Sequence, residues 1–207
     1  MKGAGEVVIS GAVEGLLDEA VLIRLIADSG GKPGPVYGKR GKNHLQKHLR
    51  AYNQAAKFSA WLVLIDLDHD ADCAPPFRED CLPDSARGMI FRIAVRAVET
   101  WLLADRERLA KFMNISPARI PIDPESVDDP KRTMVEMARY SRRSRIREDM
   151  VPRPGSGRSV GPAYASTLIE YVNDNQHGWR PGIAGKSSDS LSRCIIRLRE
   201  FVSAYRA

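Results

Sequence analysis

An unbroken apolar run, Trp61-Leu62-Val63-Leu64-Ile65, leads directly into Asp66-Leu67-Asp68. The apolar residues are continuous rather than alternating, which is typical of a strand covered on both faces of a parallel sheet. Carboxylates at the carboxyl end of such a strand lie where α/β proteins bind their ligands. This feature predicts an α/β fold and marks the edge of the sheet at which a functional site belongs.

The first part of the chain alternates between strand-like and helix-like patterns. The predicted strands are 6–13, 36–37, 61–65 and 88–95, and the predicted helices are 16–27, 43–57 and 96–111, with an interruption near Asp105. The segments 29–35 and 71–87 are predicted to be loops because they are rich in Gly, Pro or acidic residues. Alternation of this kind predicts a parallel sheet with right-handed crossovers, flanked by helices.

The rest of the chain has helical patterns without strands. The predicted helices are 130–145, 163–172 and 188–205, and the Gly-, Pro- and Ser-rich segment 151–162 is predicted to be a loop. We therefore predict a Rossmann-like α/β core at 1–105 and a helical extension at 106–207 that packs on it.

Charge is unevenly distributed along the chain. The net charge is +6, from 32 basic and 26 acidic residues. Acidic residues concentrate in 66–84, whereas arginine and lysine concentrate in 131–158. An acidic cluster beside a separate basic stretch favours a metal-assisted reaction on a phosphate polyanion such as a nucleic acid.

Cysteine usage and hydropathy predict a cytoplasmic protein. The three cysteines are odd in number and match no zinc-binding spacing. No apolar run reaches the roughly 18 residues that a membrane span needs, so no membrane partner is expected. The first residues also lack the apolar segment of a secretory signal.

Three carboxylates are predicted to meet at the carboxyl edge of the sheet. Glu14 follows the first strand, and Asp66 follows the third, with Asp68 on the same face if the chain stays extended. Such a group favours a hard divalent cation, Mg²⁺ or Mn²⁺, as its counter-charge. Asp18 faces the same site from the first helical turn, or alternatively provides favourable charge at a helix N-terminus. A plain polar strand end remains an alternative for Asp66 and Asp68.

Further candidates lie later in the chain. Glu99 is a candidate for a second metal site or for orienting a water, with Asp105 in support; the alternative is a pair of solvent-facing acids on a helix that buries Trp101. Lys131 is a candidate for stabilising charge on a phosphate, or is a solvated lysine at a helix start. The candidates for tracking a nucleic-acid backbone, whose alternatives are a cationic helix end or a partner-binding face, are Arg139, Arg142, Arg143 and Arg145.

These motifs resemble a known family. Val13-Glu14-Gly15-x-x-Asp18-Glu19 and Ile65-Asp66-Leu67-Asp68 are similar to the Toprim domain of topoisomerases, primases and OLD-type (overcoming-lysogenisation-defect) nucleases. The segment Glu99-Thr100-Trp101-Leu102-Leu103-Ala104-Asp105 resembles the signature of a bacterial Toprim-like family of unassigned function. Asp129-Pro130-Lys131 and Ser190-Leu191 also fit that family, so the resemblance extends over most of the chain.

The resemblance implies a Mg²⁺-dependent phosphodiester reaction on nucleic acid. Glu14 matches the Toprim glutamate, a metal ligand or general acid/base, and Asp66 and Asp68 match the metal-binding pair. Asp18 stands where OLD-type proteins usually carry Glu. Some relatives are encoded beside ABC-type ATPases in phage-defence settings, which implies an ATPase partner. A homodimer is a further possible assembly of this chain.

Two other functions remain in competition. The chain is alternatively a non-catalytic, degenerate Toprim partner or regulatory subunit of an ATPase. A further alternative is a phosphatase of the haloacid-dehalogenase type, because Asp66-Leu67-Asp68 follows a strand. Those enzymes usually carry Thr or Val where Asp70 stands. A phosphatase assignment also gives no role to the Glu14-Gly15 element.

Overall fold

The computed structural model describes residues 6–206. Its strands form one parallel sheet in the order β2-β1-β3-β4, with bounds β1 Val8–Val13, β2 Lys32–Gly38, β3 Ala60–Asp66 and β4 Met89–Ala94. The predicted α/β class, with a parallel sheet flanked by helices, is confirmed, and the architecture is consistent with a Rossmann-like fold.

Helices cover both faces of the sheet and are joined by turns and loops. They are α1 Leu16–Asp28, α2 Lys42–Ala55, α3 Ala74–Cys81, α4 Val98–Leu103, α5 Arg106–Met113, α6 Pro130–Arg139, α7 Ser144–Met150, α8 Tyr164–Asn173, α9 Pro181–Ala184 and α10 Asp189–Arg206. A short 3-10 turn spans Pro117–Arg119. None of the helices between residues 6 and 206 has the length and apolar character to cross a membrane.

Three elements differ from their sequence predictions. β2 is longer than 36–37 and includes Pro33 and Pro35, which an edge strand tolerates because one side of its backbone needs no sheet partner. The predicted loop at 71–87 contains α3, whose first turn includes Pro75 and Pro76. The predicted helix 130–145 is two helices, because α6 ends at Arg139 and α7 begins at Ser144. The predicted interruption near Asp105 is confirmed by the break between α4 and α5.

The apolar core has two layers, one on each face of the sheet. Alternate residues of β3 divide between them: Leu62 and Leu64 belong to the layer that contains α1, and Val63 and Ile65 to the layer beneath α2 and α3. The α1 layer continues into α4, α6, α8 and α10, so residues on both sides of position 105 share one apolar core. The division of the chain at residue 105 stays a prediction.

Gly38 holds the end of β2 close against β1. It has φ +88°, and a Cβ at this position lies 2.2 Å from the Val13 carbonyl oxygen. That oxygen accepts the Lys39 amide at 2.9 Å, so it is not free to move. We expect Gly38→Ala to destabilise the fold by roughly 2–3 kcal/mol, from backbone strain plus the clash, as measured by urea unfolding.

Gly155→Ala is the matched control for this substitution. Gly155 also has positive φ, at +75°, but nothing lies within 4 Å of a Cβ built there. This variant therefore carries the conformational cost alone, about 1 kcal/mol. Equal stabilities of the two variants would show that the close approach at Val13 costs nothing.

Candidate functional site

Adjacent parallel strands bring Glu14 and Asp66 together at the carboxyl edge of the sheet. β1 and β3 are neighbours, and the Asp66 amide donates to Glu14 Oε1 at 2.8 Å. The Asp66 side chain in turn accepts the Val98 amide on Oδ1 at 3.0 Å, at the start of α4. The ends of β1, β3 and β4 therefore converge on Asp66, which is 5% exposed.

Asp18 and Glu99 complete a carboxylate cluster with Glu14 and Asp66. Asp18 and Glu99 are 8% and 1% exposed. Burial raises the pKa of Asp66 well above its ordinary value, and the negative charges of the other three carboxylates raise it further. We call Glu14, Asp18, Asp66 and Glu99 the carboxylate cluster. Because its members disfavour each other's ionisation, the cluster calls for protons or a cation.

Glu99 contributes an oxygen that lacks a partner. Its Oε1 accepts the Tyr164 hydroxyl at 3.2 Å, whereas the buried Oε2 makes no hydrogen bond within the described structure. A buried carboxylate oxygen without a partner is costly, so this atom marks a position for a cation or a proton. The alternative of a solvent-facing acid is wrong for Glu99, while Trp101 is fully buried as that alternative required.

Asp18 combines the two roles predicted as alternatives, a carboxylate of the acidic site and a favourable charge at a helix N-terminus. Burial raises its pKa, whereas the backbone amides of Gly15 and Asp18 at the start of α1 lower it, as expected at a helix N-terminus. A Cβ on Gly15 would lie 3.0 Å from Asp18 Oδ2, so glycine leaves room for this carboxylate. Asp18 is thus held by the helix terminus and directed towards the cluster.

Asp68 differs from its sequence expectation. β3 ends at Asp66, and Asp68 has φ +49°, so the chain is not extended there and the expected alternation was wrong for this residue. Its carboxylate pairs with the Lys42 ammonium at 2.8 Å. Lys42 also pairs with Asp70 at 2.6 Å. Asp68 nevertheless lies close enough to raise the pKa values of Glu14 and Asp18.

Two lysines flank the carboxylate cluster. Lys42 begins α2 directly after the turn at Gly41. Lys131 lies in the first turn of α6. Partial burial opposes the charge of Lys131, but Glu99, Asp66, Asp68 and Asp18 raise its pKa above the ordinary value. Both lysines are therefore cationic near the cluster.

The four arginines predicted to track nucleic acid lie in different surroundings. Arg139 pairs with Glu136 at 3.4 Å, whereas Arg145 pairs with Asp149 at 3.3 Å and with Glu170 at 2.5 Å. Arg142 and Arg143 are exposed, and neither has an ion pair within residues 6–206. Asp105, predicted to support the site, instead pairs with Arg180 at 2.6 Å.

A basic groove runs from Lys131 along α6 and α7. The segment 151–162 folds back over these helices and is anchored by the Gly161 amide, which donates to Met150 O at 2.9 Å. Two adjoining clefts of about 380 and 580 Å³ lie beneath it, and both are lined by Arg139 and Pro152. The cationic residues that define the basic groove are Lys131, Arg132, Arg139, Arg147 and Arg153, opposed by Asp129, Glu136 and Glu148.

The cluster is not a closed set of ligands. Among the residues that the structure describes, no group of three or more His, Cys, Asp or Glu side chains has an arrangement that could hold a metal ion.

Comparisons with known proteins found no matching family model, no similar curated protein and no similar solved structure. The Toprim resemblance therefore rests on the quoted motifs alone.

Glu14 makes the metal-free protein sensitive to pH. Burial raises its pKa from the ordinary 4.5 to about 7. The folded state thus holds this proton more tightly than the unfolded state, so stability falls as pH rises between these two values and levels off above the upper one. We expect wild type in EDTA to lose stability relative to Glu14→Gln across this interval, in urea unfolding at several pH values. A pH-independent difference would contradict the raised pKa.

Proposed function

We propose that this chain is a Toprim-type, Mg²⁺-dependent phosphodiesterase that cleaves nucleic acid. The observation that carries the proposal is the carboxylate cluster, and above all the buried Glu99 Oε2 without a partner beside Asp66. Structural carboxylates usually pair with arginine or lysine, as Asp105 does with Arg180. A buried oxygen left without a partner instead favours a site that takes up a ligand.

The donor set fits a hard divalent cation. Carboxylate oxygens are the ligands that Mg²⁺ and Mn²⁺ prefer, and Mg²⁺ keeps several waters and takes substrate phosphate oxygens. Glu14, Asp18, Asp66 and Glu99 would hold the ions, with Asp68 at the rim. A bound cation supplies Lewis-acid activation of the phosphate and of a water.

The chain's own residues have separable roles. The Asp66 amide fixes Glu14 Oε1, which holds this carboxylate in place as a cation ligand or as a general acid/base. Tyr164 orients Glu99 through its hydroxyl. Lys131 is positioned to stabilise negative charge on a phosphate oxygen, because its ammonium already acts on the cluster.

The basic groove is the proposed path of the substrate backbone. It begins at Lys131, beside the cluster, and continues through Arg139 to Arg153. Arg139 lines both clefts, whereas Arg145 is neutralised by two carboxylates. Of the predicted set, Arg139 therefore belongs to the path, Arg142 and Arg143 are exposed cations beyond the groove, and Arg145 is the weakest candidate.

The activity itself is tested by incubating the full chain with single- and double-stranded DNA and RNA. We expect cleavage of at least one of these substrates with Mg²⁺ or Mn²⁺ and none with EDTA. Protein from the Asp66→Asn variant, purified identically, excludes a contaminating nuclease. Absence of cleavage by wild type under all these conditions would contradict the catalytic proposal.

The path is tested with the double variant Arg139→Glu/Arg153→Glu. We expect weaker binding of a labelled oligonucleotide and a salt dependence whose slope falls by about 1 for each lost phosphate contact. The control is Arg50→Glu/Arg193→Glu, which makes the same charge change at exposed positions outside the groove. Equal weakening in both variants would indicate a general effect of net charge rather than a path.

A non-catalytic role as partner of an ABC-type ATPase is the second candidate. It is favoured by the pairing of Asp68 and Asp70 with Lys42, which occupies carboxylates that a cation would otherwise use. In that case a complex with the ATPase would keep full activity after Asp66→Asn. Loss of activity in the complex would favour the catalytic role.

A further inference from the structure

A narrow cleft follows the free edge of β4. This strand is the last in the sheet as described, and its residues Met89–Arg92 line a cleft of about 280 Å³. α3 and α10 pack against β4 and supply the walls. The cleft lies at the amino-terminal part of β4, whereas the carboxylate cluster lies beyond its other end, where Ala94 pairs with Asp66.

Arginine side chains from several elements converge on this cleft. Arg78 comes from α3, Arg92 from β4 and Arg197 from α10, and Arg87 precedes β4. Arg92 Nε is buried and makes no hydrogen bond within the described structure. Burial lowers the pKa of Arg92, and the charges of Arg78 and Arg197 lower it further. Arg197 pairs with Glu200 at 3.6 Å, and both side chains are about half exposed. Among the described residues, the other three arginines have no ion pair. We call the cleft with these four arginines the arginine slot; its positive charge is only partly offset.

We propose that the arginine slot binds an extended acidic segment of a partner protein, which adds to the sheet beside β4. An edge strand presents unpaired backbone N–H and C=O groups to an incoming strand. Carboxylates of that strand would reach the guanidinium groups, including the unpartnered Arg92 Nε. Four strand residues span about 13 Å, so a short acidic segment suffices.

Three alternative explanations fit the arginine slot less well: protection against aggregation, a symmetric dimer and binding of a free phosphate. Charged residues on an edge strand discourage self-association, but this does not require a buried guanidinium nitrogen without a partner. A second copy of this chain, paired symmetrically along β4, would bring two sets of the same arginines together. A free phosphate would meet the guanidinium groups but would leave the strand edge unused. Binding of an acidic strand does not depend on catalysis at the carboxylate cluster.

The test uses the full chain and a fluorescein-labelled eight-residue peptide of alternating Val and Glu. We expect saturable binding by fluorescence anisotropy and slower exchange of the Phe91 amide on binding, because the Met89 amide donates to Ala86 O and the Ile90 and Arg92 amides face β3. The double variant Arg78→Glu/Arg197→Glu should weaken binding at least tenfold, and the exposed loop variant Arg87→Glu, which alters no helix, should weaken it severalfold. Arg50→Glu/Arg193→Glu, with the same charge change outside the slot, should bind as wild type does.

Strand addition has its own readout. Two versions of this peptide, methylated on the odd-numbered or on the even-numbered amides, keep its charge. Alternate amides of a strand face opposite edges, so the version that loses the donors facing β4 should bind at least tenfold more weakly than the unmethylated peptide. Equal binding of both methylated peptides and the unmethylated one, or displacement by equimolar inorganic phosphate, would overturn strand addition in favour of simple anion binding. Failure of the peptide to bind, or preferential loss of oligonucleotide binding in the Arg78→Glu/Arg197→Glu variant, would also overturn the proposal.

Discussion

Replacing Asp66 with asparagine is expected to abolish Mg²⁺-dependent cleavage and to leave the fold intact. Asparagine has the same shape, and its Oδ1 can still accept the Val98 amide. The change removes the carboxylate at the centre of the cluster, on which the ends of three strands converge. We expect a loss of at least about 1,000-fold in cleavage rate, which corresponds to about 4 kcal/mol of transition-state stabilisation.

This substitution should also stabilise the metal-free protein, because the raised pKa of Asp66 records the cost of its buried charge. The opposite signs of the two effects separate a functional residue from a structural one. Asp72→Asn is the matched control, since Asp72 is exposed in the segment after β3. Retained cleavage by Asp66→Asn, or an equal loss in Asp72→Asn, would place catalysis elsewhere.

Replacing Arg180 with methionine is expected to destabilise the fold by about 3–5 kcal/mol. Arg180 Nη2 and Nε donate to Asp105 Oδ1 and Oδ2 at 2.6 and 2.9 Å, and the Asp105 side chain is 1% exposed. Methionine removes both donors and leaves a buried carboxylate whose one remaining hydrogen bond among residues 6–206 is from the Arg180 backbone amide, at 3.0 Å. The loss should appear as a lower urea midpoint with an unchanged slope.

Arg193→Met is the control for this ion pair. Arg193 pairs with Asp189 at 2.7 Å, but both side chains are about 70% exposed, so less than about 1 kcal/mol is expected. The double variant Asp105→Asn/Arg180→Met removes the stranded charge and should recover part of the stability. If Arg180→Met and Arg193→Met are equally stable, the buried pair is not a stabilising feature.

The hydrophobic pattern was sufficient to predict the sheet and to predict that the carboxyl ends of two of its strands lie together. The continuous apolar run of β3 and the alternation along the chain predicted the parallel architecture, and Glu14 and Asp66 lie on neighbouring strands as expected. β2 was placed too short because proline argues against strands, and the edge position that permits Pro33 and Pro35 follows only from the tertiary order.

The neighbours of individual carboxylates could not be predicted from the sequence. α4 is buried on all sides, so the helical pattern that would have shown the setting of Glu99 is absent. Asp68 leaves the strand with positive φ and meets Lys42, a contact made by a residue on another element. Asp105 carries the same charge as Glu99, yet it is neutralised by Arg180, which is distant in sequence. Local pattern predicts elements, whereas these pairings depend on how the elements pack.

The central claim is that the carboxylate cluster binds a divalent cation, and calorimetric titration of the full chain with Mg²⁺ and Mn²⁺ tests it most directly. The account predicts saturable binding by wild type that is lost in Asp66→Asn and in Glu99→Gln, and a melting temperature that rises with cation in wild type but not in these two variants. Asp72→Asn should bind as wild type does. Binding that is the same in wild type and both cluster variants, or no binding by wild type, would contradict the account.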